Sequence, residues 1–225
     1  MKSNKKRLDQ ILVDRSLAES KTKAQSMIMA GQVYVENKKV TKSGQNFFEN
    51  SNIKIKRLNP EWVSRGALKL IKAIDLFNIN IKNKICLDIG SSTGGFTQVL
   101  LKYNAKKIYA VDVGSNQLHE KLLKEKKIIS LQKTNARYLS DELFKESINI
   151  LVCDVSFISL KKVIKPNFRY LSDNSIVIVL IKPQFEAEKK ELRKGIIKNP
   201  DIHHRICEDI KDWFKKECNC SIVGL

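Results

Sequence analysis

The sequence predicts an α/β protein in two parts: a small α+β module, then a doubly wound, mostly parallel sheet. Three observations carry this expectation. From about residue 65 onward short apolar runs alternate with helical stretches, the pattern of buried parallel strands covered by helices on both faces. A glycine-rich turn, Gly90-Ser91-Ser92-Thr93-Gly94-Gly95, joins the first of those runs to a helix start. The opening segment has a different texture, two short amphipathic stretches followed by short alternating ones. With 225 residues the chain has room for a module of about 50–60 residues and one α/β domain with a real core. The expected boundaries are 1–60 and 61–225.

The module is read first. Leu8, Ile11 and Leu12 form one apolar stripe, and Ser20 can cap a second helix with Ala24, Met27 and Ile28 on its face. Gly31 ends that helix. Val33-Tyr34-Val35 and Val40 alternate like strands around an expected turn at Asn37-Lys38-Lys39, and Ile53-Lys54-Ile55 reads as another strand. Lys21 and Lys23 fall in the first turn of the second helix, where free backbone N–H groups and the helix dipole also favour a phosphate.

Charge gives the module a partner class. The formal net charge is +18, and residues 1–60 hold 13 Lys and Arg against 5 Asp and Glu, so the N-terminal quarter is the more basic per residue. Such a surplus favours a polyanion, because phosphate contacts release counterions. No secretory apolar region follows Met1-Lys2, and the longest apolar run, residues 175–181, is far short of the ~20 residues that span a bilayer. The chain therefore reads as cytoplasmic, with no membrane partner. Its five cysteines are an odd number, Cys86 and Cys153 lie in apolar runs, and Cys218-x-Cys220 has no partners at metal spacing; no metal site is expected.

Residues 7–13 and 20–38, Arg7-Leu8-Asp9-Gln10-Ile11-Leu12-Val13 and then Ser20 through Ala30-Gly31-Gln32-Val33-Tyr34-Val35-Glu36-Asn37-Lys38, resemble the RNA-binding module named after ribosomal protein S-four. That resemblance implies recognition of structured RNA through backbone and shape by a basic helix face. Arg7, Lys21, Lys23 and, in the next segment, Arg65 are the candidate RNA contacts.

After a basic, polar joint at Arg57, Asn59 and Pro60, Ser64-Arg65-Gly66-Ala67-Leu68-Lys69-Leu70 leads a helix. Its apolar positions Leu68, Leu70, Ile71, Ile74 and Leu76 are expected to pack on the sheet. Strands are expected at residues 85–89, 108–113, 128–131, 148–155 and 176–181, with helices after Gly95, Ser115 and Ser159 and over residues 201–216. The glycine turn lets backbone pass close to a ligand at the carboxyl end of the first strand. Three residues separate Gly90 from Gly94, unlike the spacing of a dinucleotide cradle. Asp112, ending the second strand, can accept hydrogen bonds from a ribose diol. Asp154 and Lys182 end the fourth and fifth apolar strands at the same edge, where an ionisable residue is seldom needed for packing. With Lys69 they form a Lys-Asp-Lys set.

Taken in order, Val63–Leu70, the turn from Asp88 to Thr97, Val111-Asp112-Val113-Gly114, Thr134-Asn135-Ala136-Arg137, the stretch from Asp154 to Leu160 and the stretch from Ile181 to Glu186 resemble the TlyA (haemolysin A) group of FtsJ-like ribosomal RNA 2′-O-methyltransferases. The resemblance covers nearly the whole chain. It implies a Rossmann-like S-adenosylmethionine-dependent methyltransferase sheet and methylation of a cytidine ribose in small-subunit RNA, large-subunit RNA or both, with ribosomal RNA or ribosomal subunits as partner. Lys69, Asp154 and Lys182 match three members of the family's catalytic tetrad, and Gly90, Ser92, Gly94, Gly95, Phe96, Asp112 and Asn135 match its cofactor positions. Ala67 stands where the family usually has glycine, and Ser115-Asn116 replaces an aromatic-glycine pair. The resemblance also expects one more loop and strand beyond Leu225, inserted beside the fifth strand and bearing a fourth catalytic carboxylate; Glu186 is no evident substitute.

For such a transfer, Lys182 is the expected proton acceptor. Two ammonium groups and a sulfonium in one crevice disfavour one another's charge, whereas Asp154 favours the charge of the lysine it pairs with. Lys69 would orient the hydroxyl and stabilise the developing alkoxide. The joint at residues 57–63 is expected to couple RNA docking to the cofactor pocket, through Glu61 and Trp62. Two other classes compete. A catalytically silent RNA-binding assembly factor would use the same folds, and a membrane-lytic role is opposed by the lack of a long amphipathic apolar helix.

Overall fold

The computed structural model describes residues 4–55, 62–192 and 195–225. Arg57, Asn59, Pro60 and Glu61 of the expected joint lie outside the described residues. The chain divides into two compact units, Met1–Glu61 and Trp62–Leu225.

The first unit runs β1 (Lys5–Arg7), α1 (Leu8–Asp14), α2 (Lys21–Met29), β2 (Val33–Val35), β3 (Lys38–Val40), β4 (Asn46–Phe48) and β5 (Ile53–Ile55). Leu8, Leu12, Ala24, Ile28, Val33, Val35 and Val40 form its core, so the expected helix stripes are the buried ones. Ser20 Oγ accepts from the Lys23 N–H at 3.2 Å and caps α2, and Gly31, at φ +69, turns the chain out of it. The hairpin between β2 and β3 turns one residue earlier than expected. Glu36 and Asn37 both take left-handed backbone (φ 48 and 63) and Val35 faces Lys38, a two-residue turn whose twist matches the strands. β2 is the centre of a three-stranded antiparallel sheet, and β1 pairs with β4. The β1–β4 pair left no trace in the hydrophobic pattern because all three β1 residues are exposed and basic.

Arg7 has an internal partner. Its guanidinium donates to both oxygens of Asp9, at 3.1 and 2.7 Å, and Gln25 Nε2 donates to the same carboxylate at 2.9 Å. The Asp9 side chain is fully buried. The Arg7 hydrogen bonds hold its carboxyl well below the usual carboxylate range, so Asp9 joins α1 to the end of β1 through Arg7 and to α2 through Gln25, by a charge that has little solvent to fall back on. Lys21 and Lys23 are exposed on the first turn of α2.

The second unit runs α3 (Ala67–Leu76), β6 (Ile85–Ile89), α4 (Gly95–Lys102), β7 (Lys107–Val111), α5 (Glu120–Leu123), β8 (Ile128–Leu131), β9 (Ile148–Cys153), α6 (Leu160–Ile164), β10 (Leu171–Val179), α7 (Pro183–Glu186) and α8 (Pro200–Cys218). The strands form one sheet in the order β10-β9-β6-β7-β8, with every neighbour parallel. Crossovers thus run outward in both directions from β6, and the chain's switch point lies between β6 and β9, where open α/β sheets form their crevice. Strand alternation sorts the core: Leu87 and Ile89 face one layer with Leu160, Ile164, Ile210 and Phe214, and Cys86, Ile150 and Val152 face the other with Leu70, Ile74, Val99 and Leu100.

Four expectations change. β7 and β9 end at Val111 and Cys153, so Asp112 and Asp154 are the first residues beyond their strands. β10 starts earlier, with a register shift between Leu171 and Ile176, and ends at Val179, so Lys182 stands beyond the strand as the residue before α7 rather than at its end. The helix after Ser115 is a single turn capped by His119, whose Nδ1 accepts from the Lys121 N–H. On α3 only Ala67, Leu70 and Ile74 are buried, while Leu68 and Leu76 are 52% and 65% exposed, because at 100° per residue they lie off the face that meets the sheet.

The Arg7–Asp9 pair gives a test by unfolding. Arg7→Ala should lower the denaturant midpoint of the first unit several-fold more than Lys23→Ala does, because it strands a buried carboxylate whereas Lys23 is exposed. The contribution of Asp9 is present above the unfolded carboxyl value of about 4 and is lost as pH falls below it. The wild-type advantage over Arg7→Ala should therefore shrink in acid.

Candidate active site

The carboxyl ends of β6 and β9 bring the expected residues together. A cavity of about 590 Å³ is lined by Arg65, Lys69, Gly90, Ser92, Gly95, Phe96, Asp154 and Lys182, together with Ser64, Gly66, Ser91, Thr93 and Ser156. The backbone geometry is tight here. Gly90 sits at φ +80, and a Cβ on it would meet the Asp154 carbonyl oxygen and a Val155 methyl at 3.0 Å; the turn after β6 and the start of the loop after β9 pass too closely for a side chain between them.

Asp154 is the hub. Its Oδ2 accepts from Lys69 Nζ at 3.1 Å, and Lys182 Nζ lies 2.5 Å from Oδ1. The second contact is an ion pair without hydrogen-bond alignment, since Oδ1 is buried and has no hydrogen-bond partner among the described residues. Lys182 instead donates its aligned hydrogen bond to Ser156 Oγ at 2.9 Å. The lysines differ in exposure, 49% for the Lys69 side chain and 19% for Lys182. One carboxylate thus holds two ammonium groups that arrive from different elements, α3 before the sheet and the loop after β10.

Three expected cofactor residues act on the cavity from behind rather than lining it. Asp112 accepts from the Ser92 N–H through Oδ2 and the Gly114 N–H through Oδ1, both at 2.8 Å, which fixes its carboxylate at the end of β7. Gly94, at φ +95, lies over Leu118 and Leu122, and a Cβ there would come within 2.2 Å of a Leu122 methyl. Asn135 turns its Oδ1 to the Arg137 N–H at 3.1 Å and caps a short 3₁₀ turn. Ala67 is fully buried, and the helix start it occupies packs on Gly95, whose Cβ would lie 3.1 Å from the Ala67 nitrogen. Arg7, Lys21 and Lys23 belong to the first unit.

Four further residues were given no role by the sequence reading. Ser156 holds Lys182. Glu186 accepts from Ser159 and from the Leu160 N–H. Phe157 has left-handed backbone (φ 64) and is 90% exposed, its ring 5.1 Å from that of Phe185; an exposed phenylalanine with strained backbone could have been found only from coordinates. Asp88 alternates with Leu87 and Ile89 and so faces the α3–α4 layer, where Thr97 Oγ1 donates to its Oδ2 at 2.5 Å. Its Oδ1 is buried without a hydrogen-bond partner among the described residues.

The chain matches the model of the FtsJ-like methyltransferases over residues 62–223 and the S4 domain over residues 6–47. It is 45% identical to Hemolysin A of Brachyspira hyodysenteriae over 87% of this chain and 82% of that protein. The chain belongs to the TlyA/hemolysin A family of FtsJ-like methyltransferases. A Mycobacterium tuberculosis relative, 36% identical over 88% of this chain and 75% of its own length, bears the name 16S/23S rRNA (cytidine-2′-O)-methyltransferase TlyA. A solved hemolysin-named structure from Streptococcus thermophilus superposes with a TM-score of 0.71 at 36% identity, covering 93% of this chain and 77% of that chain. The family's enzymes are methyltransferases that use S-adenosylmethionine, and this chain is one of them.

The residues present fit that methyl donor. The cavity volume falls in the ~300–1,000 Å³ range of small-molecule sites. The Gly90 turn leaves backbone open to a ligand, Asp154 lines the cavity with the negative charge that suits a sulfonium, and Asp112 steadies the turn from behind through the Ser92 N–H. Among the described residues no cluster of His, Cys, Asp and Glu could hold a metal ion, and no helix is long and apolar enough to cross a membrane. Burial pushes the thiols of Cys86 and Cys153 up to about 12, so neither is a ready nucleophile.

Burial pushes the Asp88 carboxyl up to about 7, against the pull of the Thr97 hydrogen bonds, and the nearby charges of Asp154 and Asp112 add to the rise. A carboxyl that binds its proton more tightly folded than unfolded costs stability as pH rises from about 4 to about 7, with no further loss above. Asp88→Asn should flatten that part of the stability curve, measured by urea unfolding at about pH 5 and about pH 8. An unchanged slope would mean that Asp88 is equally ionised in both states.

Proposed function

We infer that the chain transfers a methyl group from S-adenosylmethionine to the 2′-hydroxyl of a cytidine in ribosomal RNA of the small subunit, the large subunit or both. The observation that carries this reading is the meeting of Lys69, Asp154 and Lys182 at the switch point beside the glycine turn. The name of the M. tuberculosis relative supports the nucleoside and the position on the ribose. The S4 match supports RNA as the substrate. With ribosomal RNA or a ribosomal subunit as partner, the enzyme works in the cytoplasm.

The donor supplies an electrophilic methyl in line with an oxygen nucleophile. The chain's part is to aim that oxygen and take its proton. Lys182, the more enclosed amine, accepts the hydroxyl proton on Nζ, and the ammonium so formed is stabilised by Asp154 and Ser156. Lys69, held by the other Asp154 oxygen and open to solvent on one side, orients the ribose hydroxyl and stabilises the developing alkoxide. Phe157, three residues after Asp154 and 90% exposed, offers an open aromatic face suited to stacking on a base drawn out of its helix. Gly90, Ser92, Gly94, Gly95, Phe96, Asp112 and Asn135 shape the donor's side of the crevice. Arg65 at its edge and Arg7, Lys21 and Lys23 on the first unit supply phosphate contacts, Arg7 while also holding Asp9.

Lys182→Ala should reduce methyl transfer by about 10²–10⁴-fold while calorimetry still detects S-adenosylmethionine binding. Mass spectrometry of ribosomal RNA fragments after incubation with protein and donor reads the reaction, the base and the subunit together. RNA binding without transfer by the wild type would instead make the chain a silent assembly factor, and turnover retained in Lys182→Ala would remove the lysine from its role. Removing residues 1–60 should sharply weaken RNA affinity and flatten its salt dependence, with donor binding intact.

A further inference from the structure

Two loops leave neighbouring strands and border the crevice, one after β9 and one after β10, and a single carboxylate joins their far ends. Glu186, the last residue of α7, accepts hydrogen bonds from Ser159 Oγ at 2.6 Å and from the Leu160 N–H at 2.7 Å. Ser159 is the N-cap of α6, and its hydroxyl oxygen accepts from the Lys161 N–H at 3.3 Å. Glu186 thus satisfies, from another element, a first-turn amide that α6 cannot pair internally. Lys182 stands at the opposite end of the same short helix, as its N-cap.

The two segments therefore form a closed ring. At one end Lys182 is joined to Asp154 and Ser156; at the other Glu186 is joined to Ser159 and Leu160. Between the two closures the Phe157 and Phe185 rings pack at 5.1 Å, and Phe157 holds a left-handed backbone that a loose loop would not keep. We propose that Glu186 is a positioning residue for methyl transfer, locking α7 to the start of α6 so that the Lys182 amine stays over Asp154 and Ser156. The inference rests on the reading of Lys182 as proton acceptor. Glu186 does not itself handle the proton: both of its oxygens are committed to α6, and its work is to limit how far Lys182 can wander.

The test compares wild type, Glu186→Ala and Glu186→Gln in the full chain, with S-adenosylmethionine and ribosomal RNA as substrates. In Glu186→Ala kcat should fall by about 100-fold while KM for the donor changes little, because the fault is misplacement by an ångström or so rather than lost binding. Glu186→Gln should return kcat to within about threefold of wild type, since glutamine keeps an oxygen for the Leu160 N–H and an amide group that can bond Ser159. Unchanged kcat in Glu186→Ala would overturn the proposal. So would a Glu186→Gln enzyme as slow as the alanine variant, which would make the charge itself the agent, or a folded Glu186→Ala whose loss lies in the KM for the donor with kcat kept, which would place Glu186 in donor binding instead. Amide exchange at Leu160 checks the lock without turnover and separates it from the reading it rests on. Protection in wild type and Glu186→Gln, lost in Glu186→Ala, supports the lock even in a chain that methylates nothing; equal exchange in all three overturns it.

Discussion

The second unit depends on the parallel pairing of β6 with β9, two strands far apart in the chain whose following loops leave in opposite directions. The Lys69–Asp154–Lys182 set and the glycine turn sit at the divergence. Ile89 and Cys153 end the pair in register, the Asp154 N–H still reaches the Ile89 carbonyl at 3.2 Å, and Gly90 then turns away beneath the Asp154 carbonyl. Because that crossing leaves no space for a Cβ, the distance from the donor's turn to the acidic hub is set by backbone rather than by adjustable side chains. Asp154 can consequently serve as a fixed point on which two mobile lysine stems converge.

A single carboxylate shared by two ammonium groups is electrostatically asymmetric when one contact is an aligned hydrogen bond and the other is not. Lys69 has the aligned bond and the solvent; Lys182 has the shorter ion pair, a hydroxyl partner and more enclosure. Field strength rises as water is excluded. The enclosed lysine therefore feels a nearby charge more strongly than the exposed one, and the proposed division of roles rests on that difference.

Much of this was legible in the sequence, and particular residues explain why. Buried parallel strands announce themselves as continuous apolar runs, so Ile85 to Ile89 and Ile128 to Leu131 were found to the residue, and the charged residues that interrupt such runs, Asp112, Asp154 and Lys182, stood out at their ends. Strand ends were read too far by two residues at Val113 and Val155 because apolar character continues past the last ladder bond. Leu68 and Leu76 misled because composition does not reveal which side of α3 meets the sheet. Lys5 to Arg7 form a strand with no apolar residue, stabilised by a partner forty residues away. Ser156 and Phe157 were passed over, and Glu186 was weighed only as a catalytic carboxylate, for a different reason: their contacts lie in loop geometry, which spacing does not encode. Arg7 shows the converse, a residue picked for its charge whose guanidinium is already engaged by a buried carboxylate.

The unequal exposure of the two lysines also bears on how the crevice can be approached by synthetic ligands. A reagent that condenses with amines, entering from bulk solvent, finds Lys69 the more open of the two and Lys182 the more enclosed. Labelling at Lys69 would then report whether the crevice is filled, since a bound donor or ribose would stand in the reagent's path. A reversible aldehyde tethered to a nucleoside would find its anchor on the helix before the sheet, leaving the deeper amine untouched as an internal control.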